Sequence, residues 1–157
     1  MKRDGPLAEK LDEAASRGSG VPAAVDQAVA LPEQNGIRYV GQHLLIDLIE
    51  GHRLDEVDFV RQVMLDCVAA AGAVRVSDYF FQFPLTGGVS GVVILAESHA
   101  SIHSWPELGY AAVDLFTCGQ ANPQLALAVL KDKFAPADLV MVQSFRGLGA
   151  VEQRLPR

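Results

Sequence analysis

The apolar positions change period several times along the chain, and each change predicts an element. Over residues 38–50, Leu44, Leu45, Ile46, Leu48 and Ile49 read as a buried strand that Gly51 and His52 end. Val57, Val60, Met64, Val68 and Ala71 then recur at steps of three and four, the signature of one helix face. Asp55 is its expected N-cap and Gly72 its C-terminal stop. Strands are expected next at 74–83, 89–96, 98–104 and 110–117, the first two separated by Pro84 and Thr86-Gly87-Gly88. Asn122 and Pro123 open a second helix, carried by Leu125, Leu127, Ala128 and Leu130 to about Phe134. Residues 139–145 alternate as a final strand. The order β-α-β-β-β-β-α-β predicts an α+β fold: a mostly antiparallel sheet with two helices on one face. That arrangement leaves a face or an edge uncovered, so the protein is expected to dimerise.

Composition adds boundaries and exclusions. Residues 1–36 are rich in Ala, Gly, Pro and charge. They are expected to form a mobile N-terminal extension, with a short helix at 6–17 and a break at 18–22. Residues 37–157 form one domain, large enough for a core. The chain has 19 acidic and 13 basic side chains, for a net charge of −6, and the basic ones are scattered. This argues against nucleic acid or an anionic membrane as partner. No apolar run reaches the ~18 residues of a membrane span, and the N-terminal residues lack the apolar core of a signal peptide. Cys67 and Cys118 lie in unlike settings and suggest no disulfide, so a cytoplasmic location is expected.

The densest chemistry lies in residues 96–119, AESHASIHSWPELGYAAVDLFTCG. Ser98 follows an apolar strand. It is either a nucleophile or an ordinary strand-end serine, and the G-x-S-x-G elbow of hydrolases is missing. His99 and His103 share a strand face but stand about 13 Å apart at ~3.3 Å per residue, too far for one ion. With no H-E-x-x-H or C-x-x-C either, no metal is expected. Regular alternation puts Ser101 on the face of His99 and His103, with Ser98 opposite unless a turn re-aims it.

The run GVSGVVILAESHASIHSWPELGYAAVDLFTCG, residues 88–119, closely resembles the short prokaryotic S-adenosylmethionine decarboxylases. A looser likeness spans 37–146 and includes Gly41-Gln42-His43-Leu44. The resemblance implies the sandwich fold of that family and a homodimer of processed protomers, with two alpha and two beta chains. It also implies self-cleavage between Glu97 and Ser98, which leaves a pyruvoyl group generated from Ser98. That group forms a Schiff base with a small-molecule substrate and acts as the electron sink. By matching position, Ser90 assists the acyl shift, His103 is the base for elimination, and Cys118 is the acid that returns a proton to the product. Cys67 remains a buried apolar residue. Phe83 lies near the family's adenine-stacking phenylalanine, Trp105 is a second aromatic wall, and Glu107 is an acceptor for ribose hydroxyls or the partner of a cationic end. His43, Asp47 and His99 receive no role.

Ala100, Ser104 and Leu108 depart from residues common in relatives, and an extension of this length is unusual for the short form. The expected activity is conversion of S-adenosylmethionine to S-adenosylmethioninamine and CO₂ for spermidine synthesis. Pyruvoyl decarboxylases of ornithine or arginine on the same fold are the alternative. A non-catalytic regulatory homologue fits less well, because Ser90, Ser98, His103 and Cys118 are all present.

Overall fold

The computed structural model describes residues 31–152, with side chains for residues 31–150. The helix expected at 6–17 lies outside the described residues. The boundary drawn at residue 36 falls inside a small hairpin, β1 (Glu33–Gln34) and β2 (Ile37–Arg38). Its Asn35-Gly36 turn has positive φ at both residues, 53° and 79°, as a two-residue hairpin turn favours.

The remaining elements follow in the expected order: β3 (Gly41–Ile49), α1 (Val57–Ala70), β4 (Arg75–Gln82), β5 (Val89–Leu95), β6 (His99–Trp105), β7 (Tyr110–Cys118), α2 (Ala126–Phe134) and β8 (Asp138–Arg146). A short helix, α3 (Leu148–Glu152), ends the described part. β3 to β8 form one six-stranded sheet in the order β4-β5-β6-β7-β3-β8, every neighbouring pair antiparallel. No helix among the described residues is long and apolar enough to cross a membrane.

Both long helices cover the same face. α1 buries Val60, Val63, Met64, Cys67 and Val68, spaced three and four apart, and α2 buries Ala126, Leu130 and Phe134. These meet Leu44, Ile46 and Leu48 of β3, Val93 of β5, Ile102 of β6, and Val113 and Leu115 of β7 in one core. Each fully buried Leu, Ile or Val contributes roughly 1.5–3 kcal/mol. Arg61 of α1 makes two hydrogen bonds to Asp78 of β4, at 2.6 and 3.2 Å, and these hold the Asp78 carboxyl below its usual range.

Two local expectations need correction. The N-cap of α1 is Glu56 rather than Asp55, and it makes no side-chain capping bond; Glu56 is instead paired to Arg53. Leu45 and Ile49 are not buried, at 43% and 38% exposure. Successive strand side chains point to opposite faces, and here only one face is packed. The same alternation leaves Tyr79, Phe81, Ile94, Trp105, Val140 and Val142 exposed, so among the described residues no element covers the second sheet face, where these apolar side chains stand beside His99, His103 and Asp114.

Candidate active site

β5 and β6 are joined by the tightest kind of connection. The Leu95 N–H donates to the Ser98 carbonyl at 3.0 Å, so Ala96 and Glu97 alone form the loop. The turn that the sequence left open is therefore present, and it places the Glu97-Ser98 peptide at the tip of a hairpin. Two more backbone bonds anchor this end of the sheet. The Ala96 N–H donates to Val74 O at 3.0 Å, and the Asn122 N–H donates to Ala71 O at 2.9 Å, tying the loops after β5 and β7 to the segment that follows α1.

Ser98 and Cys118 come together. The Cys118 backbone N–H donates to Ser98 Oγ at 3.0 Å, and both residues line a cavity of about 220 Å³ with Glu97, Val74 and Gly119. Gly41, paired with Cys118 on β3, makes room for this: a Cβ there would lie 2.6 Å from the Phe116 ring and 3.1 Å from Cys118 Sγ. Cys67 is the contrasting thiol. It is fully buried, and burial pushes its pKa up to about 12, so it stays a neutral core group.

Ser90 and His103 form a second pair. They are cross-strand partners on the uncovered face, with Ser90 Oγ and His103 Nδ1 2.8 Å apart. Beneath them, buried Ser104 accepts the Val89 N–H at 2.8 Å and donates to Leu54 O at 2.7 Å, which fixes the start of β5 against the loop before α1. A cavity of about 280 Å³ over the pair is lined by Phe83, Phe81 and Tyr79. Trp105 flanks His103, with ring centroids 6.4 Å apart, and lies 5.4 Å from Tyr110. The Tyr110 hydroxyl donates to Asp47 Oδ1 at 2.6 Å, and that bond raises the phenol's pKa. Glu107 is exposed in the 3₁₀ turn Pro106–Leu108, at the same end of the sheet.

The two pairs do not meet within one chain. His103 lies five residues along β6 from Ser98, roughly 16 Å at ~3.3 Å per residue. That is far beyond the ~3 Å reach of proton transfer. The sequence also gave no role to Tyr79 and Phe81. Their signal was the period-two run Tyr79, Phe81, Phe83, which lines one strand face with rings.

The arrangement has a counterpart among solved structures. The crystal structure of the adenosylmethionine decarboxylase from Aquifex aeolicus superposes with a TM-score of 0.67 at 32% identity, over 76% of this chain and 98% of that one. The scaffold is thus that of a decarboxylase, an α+β carboxy-lyase. A sequence model of the family described as S-adenosylmethionine decarboxylase matches residues 42–147, and the chain belongs to that family. A protein of Thermomicrobium roseum is 42% identical over 113 residues, 71% of this chain and 97% of its own length. One of Clostridium kluyveri is 41% identical over 112 residues, 69% and 88% of the respective lengths. Both are named S-adenosylmethionine decarboxylase proenzyme.

Proposed function

We propose that this chain is a proenzyme that cuts itself between Glu97 and Ser98 and then decarboxylates S-adenosylmethionine for spermidine synthesis. The observation that carries this reading is the placement of Ser98. It closes a two-residue hairpin loop, with its Oγ held by the Cys118 backbone N–H, and Ser98 and Cys118 both line one cavity.

Accepting that N–H orients the hydroxyl oxygen and leaves its proton free to depart. Oγ attacks the Glu97 carbonyl carbon, and the peptide C–N bond is exchanged for an ester. Loss of the residue-98 Cα proton then expels the Glu97 carboxylate from Cβ. The unsaturated amine left behind takes up water and loses ammonia, which makes residue 98 an N-terminal pyruvoyl group. The site fits that group: residue 98 already opens onto a cavity and needs no new element to hold it. Once formed, the ketone supplies an electron sink for the pair left when CO₂ departs. Cys118, which lines the same cavity, is the residue assigned to return a proton to the former α-carbon. The protein works in the cytoplasm, where such thiols stay reduced.

The sheet order makes the cut tolerable. The fragment 1–97 contains β3, β4 and β5, and the fragment 98–157 contains β6, β7 and β8. β3 lies between β7 and β8, and β5 pairs with β6, so three strand interfaces hold the halves together after cleavage.

The partner of this site is a second copy of the chain. The dimer contact is assigned to the second sheet face, which the described residues leave open, and a site shared between protomers, with the Ser90–His103 pair of one serving Ser98 and Cys118 of the other, accounts for the separation of the two pairs within one chain. Two equivalent sites result, each built from both protomers. Phe83, Trp105 and Glu107 are then placed to recognise the purine nucleoside part of the substrate. Co-expression of Ser98→Ala with His103→Ala tests this sharing. Each variant alone should stay uncut, while mixed dimers should cleave the His103→Ala chain. No cleavage in verified mixed dimers would contradict shared sites.

Substrate choice is tested by parallel CO₂-release assays with S-adenosylmethionine, ornithine and arginine. Turnover of S-adenosylmethionine alone is expected, since the aromatic cavity over the Ser90–His103 pair offers no carboxylate to a cationic aliphatic chain. Preferential release from ornithine or arginine would overturn the assignment.

A further inference from the structure

We infer that Gln143 is a positioning residue for self-cleavage: its amide is the hub of a cluster of glutamines that holds the loop after β7, and with it the Cys118 N–H, at Ser98 Oγ. The inference rests on the self-cleavage reading above and adds to it a side chain of β8 that lies outside the cavity of Ser98 and Cys118.

The cluster joins three separate parts of the chain to β8. Gln143 Nε2 donates to Gln42 Oε1 at 3.0 Å and to Gln34 Oε1 at 3.3 Å, and Gln143 Oε1 accepts from Gln124 Nε2 at 3.2 Å. Gln42 is buried, so its amide sits where losing a partner is costly. On β3 it is the register partner of Thr117, and its neighbour Gly41 is that of Cys118. Gln124 stands in the 3₁₀ turn Pro123–Leu125, where Asn122 Oδ1 accepts its N–H. One amide therefore secures both the strand pairing at which the loop begins and the turn at which it ends. Gln34 belongs to the β1–β2 hairpin, outside the residues 42–147 that match the family, so the third leg comes from beyond the shared core.

The loop needs such a clamp. Gly119, Gln120 and Ala121 line both the cavity of Ser98 and Cys118 and a second cavity of about 390 Å³, whose lining includes Gln34, Gln42 and Gln124. A segment that borders two cavities has few packed neighbours to hold it, so hydrogen bonds at its ends set its place. The loop leaves β7 directly after Cys118, whose N–H donates to Ser98 Oγ at 3.0 Å. The acyl shift needs that oxygen aimed at the Glu97 carbonyl. A misplacement of about 1 Å caused by a change far from the chemistry can cost ~10²-fold in rate.

The test follows self-cleavage of the full chain made by cell-free synthesis, from the rate at which a labelled 98–157 fragment appears. Gln143→Met keeps the length of the side chain and removes all three bonds. It is expected to slow cleavage roughly ten- to hundredfold. Gln143→Glu should restore most of the rate, because the three partner amides can each turn to donate to a carboxylate. Gln124→Met removes only the bond at the far end of the loop, from a part-buried turn, and should slow cleavage less; it keeps the test decisive should Gln143→Met not fold. Arg38→Ala breaks the ion pair of the same hairpin with Glu33 and should leave the rate unchanged. A structural role alone would lower the melting temperature and leave the cleavage rate below the transition as it was. Unaltered rates in the Met variants would refute the clamp and leave the self-cleavage reading standing. Equal slowing by Gln143→Met and Gln143→Glu would refute it too, since bulk rather than hydrogen bonding would then matter. If the unaltered chain stays uncut, the underlying reading fails instead.

Discussion

Ser98→Ala is expected to leave a single intact chain with no CO₂ release from S-adenosylmethionine. The residue supplies two things that no neighbour can replace: the oxygen that attacks the Glu97 carbonyl and the Cβ from which the ester leaves. Alanine keeps the Cβ but has no leaving group, so neither the acyl shift nor the elimination can begin. The folded state should survive. The side chain is half-buried at a hairpin tip, and its one bond, from the Cys118 N–H, is worth about 0.5–1.5 kcal/mol. A cooperative melting transition, with the full-length mass and no ketone reactivity, is the predicted outcome. Normal fragments from this variant would remove Ser98 from the chemistry.

Cys118→Ala should separate the two halves of the account. The variant is predicted to cut itself, because the contact to Ser98 Oγ comes from the residue 118 backbone and survives the change of side chain. Decarboxylation should fall roughly 10²- to 10⁴-fold, the usual worth of a positioned general acid. Cys67→Ala is the matched control. Its thiol is buried in the core and held neutral, with a pKa of about 12, so its loss should lower stability and leave turnover per cleaved chain near normal. Equal activity losses in the two variants would mean that position 118 serves packing rather than proton transfer. Wild-type turnover by Cys118→Ala would exclude it as the donor.

Much of the scaffold was legible because it rests on local periodicity. The three-and-four spacing of Val57, Val60, Met64, Val68 and Ala71 marks the helix whatever packs on it, and Asn122-Pro123 marks the start of the next one. Asn122 does accept the Gln124 N–H at 3.2 Å, although the first turn, Pro123–Leu125, is 3₁₀ before α2 begins. Leu45 and Ile49 were misplaced because hydrophobicity alone does not say whether both sheet faces are covered. Asp55 was misread as a cap because cap geometry depends on the Arg53-Glu56 pairing one residue away.

The site was legible as a set of residues and not as an arrangement. Ser90, Ser98, His103 and Cys118 stand out by chemistry and by likeness to a family. Their division into two pairs follows from the strand register that sets position 90 opposite 103 and from the hairpin loop that brings Ser98 Oγ to the Cys118 N–H, links between positions far apart in sequence. A register of this kind depends on where the β5–β6 loop closes and on β3 inserting between β7 and β8. Neither is encoded by any short window. The aromatic lining of Tyr79, Phe81 and Phe83 was hidden for a related reason: alternating aromatics on a strand normally signal a core face, and here that face is the open one.

The most direct test of the central claim is the intact mass of the 98–157 fragment from the unaltered protein. Self-cleavage with pyruvoyl formation predicts a fragment lighter by one ammonia than the same segment beginning with serine, reactive towards a carbonyl reagent and blocked to N-terminal sequencing. A fragment with a free N-terminal serine, or an uncut chain, would contradict it.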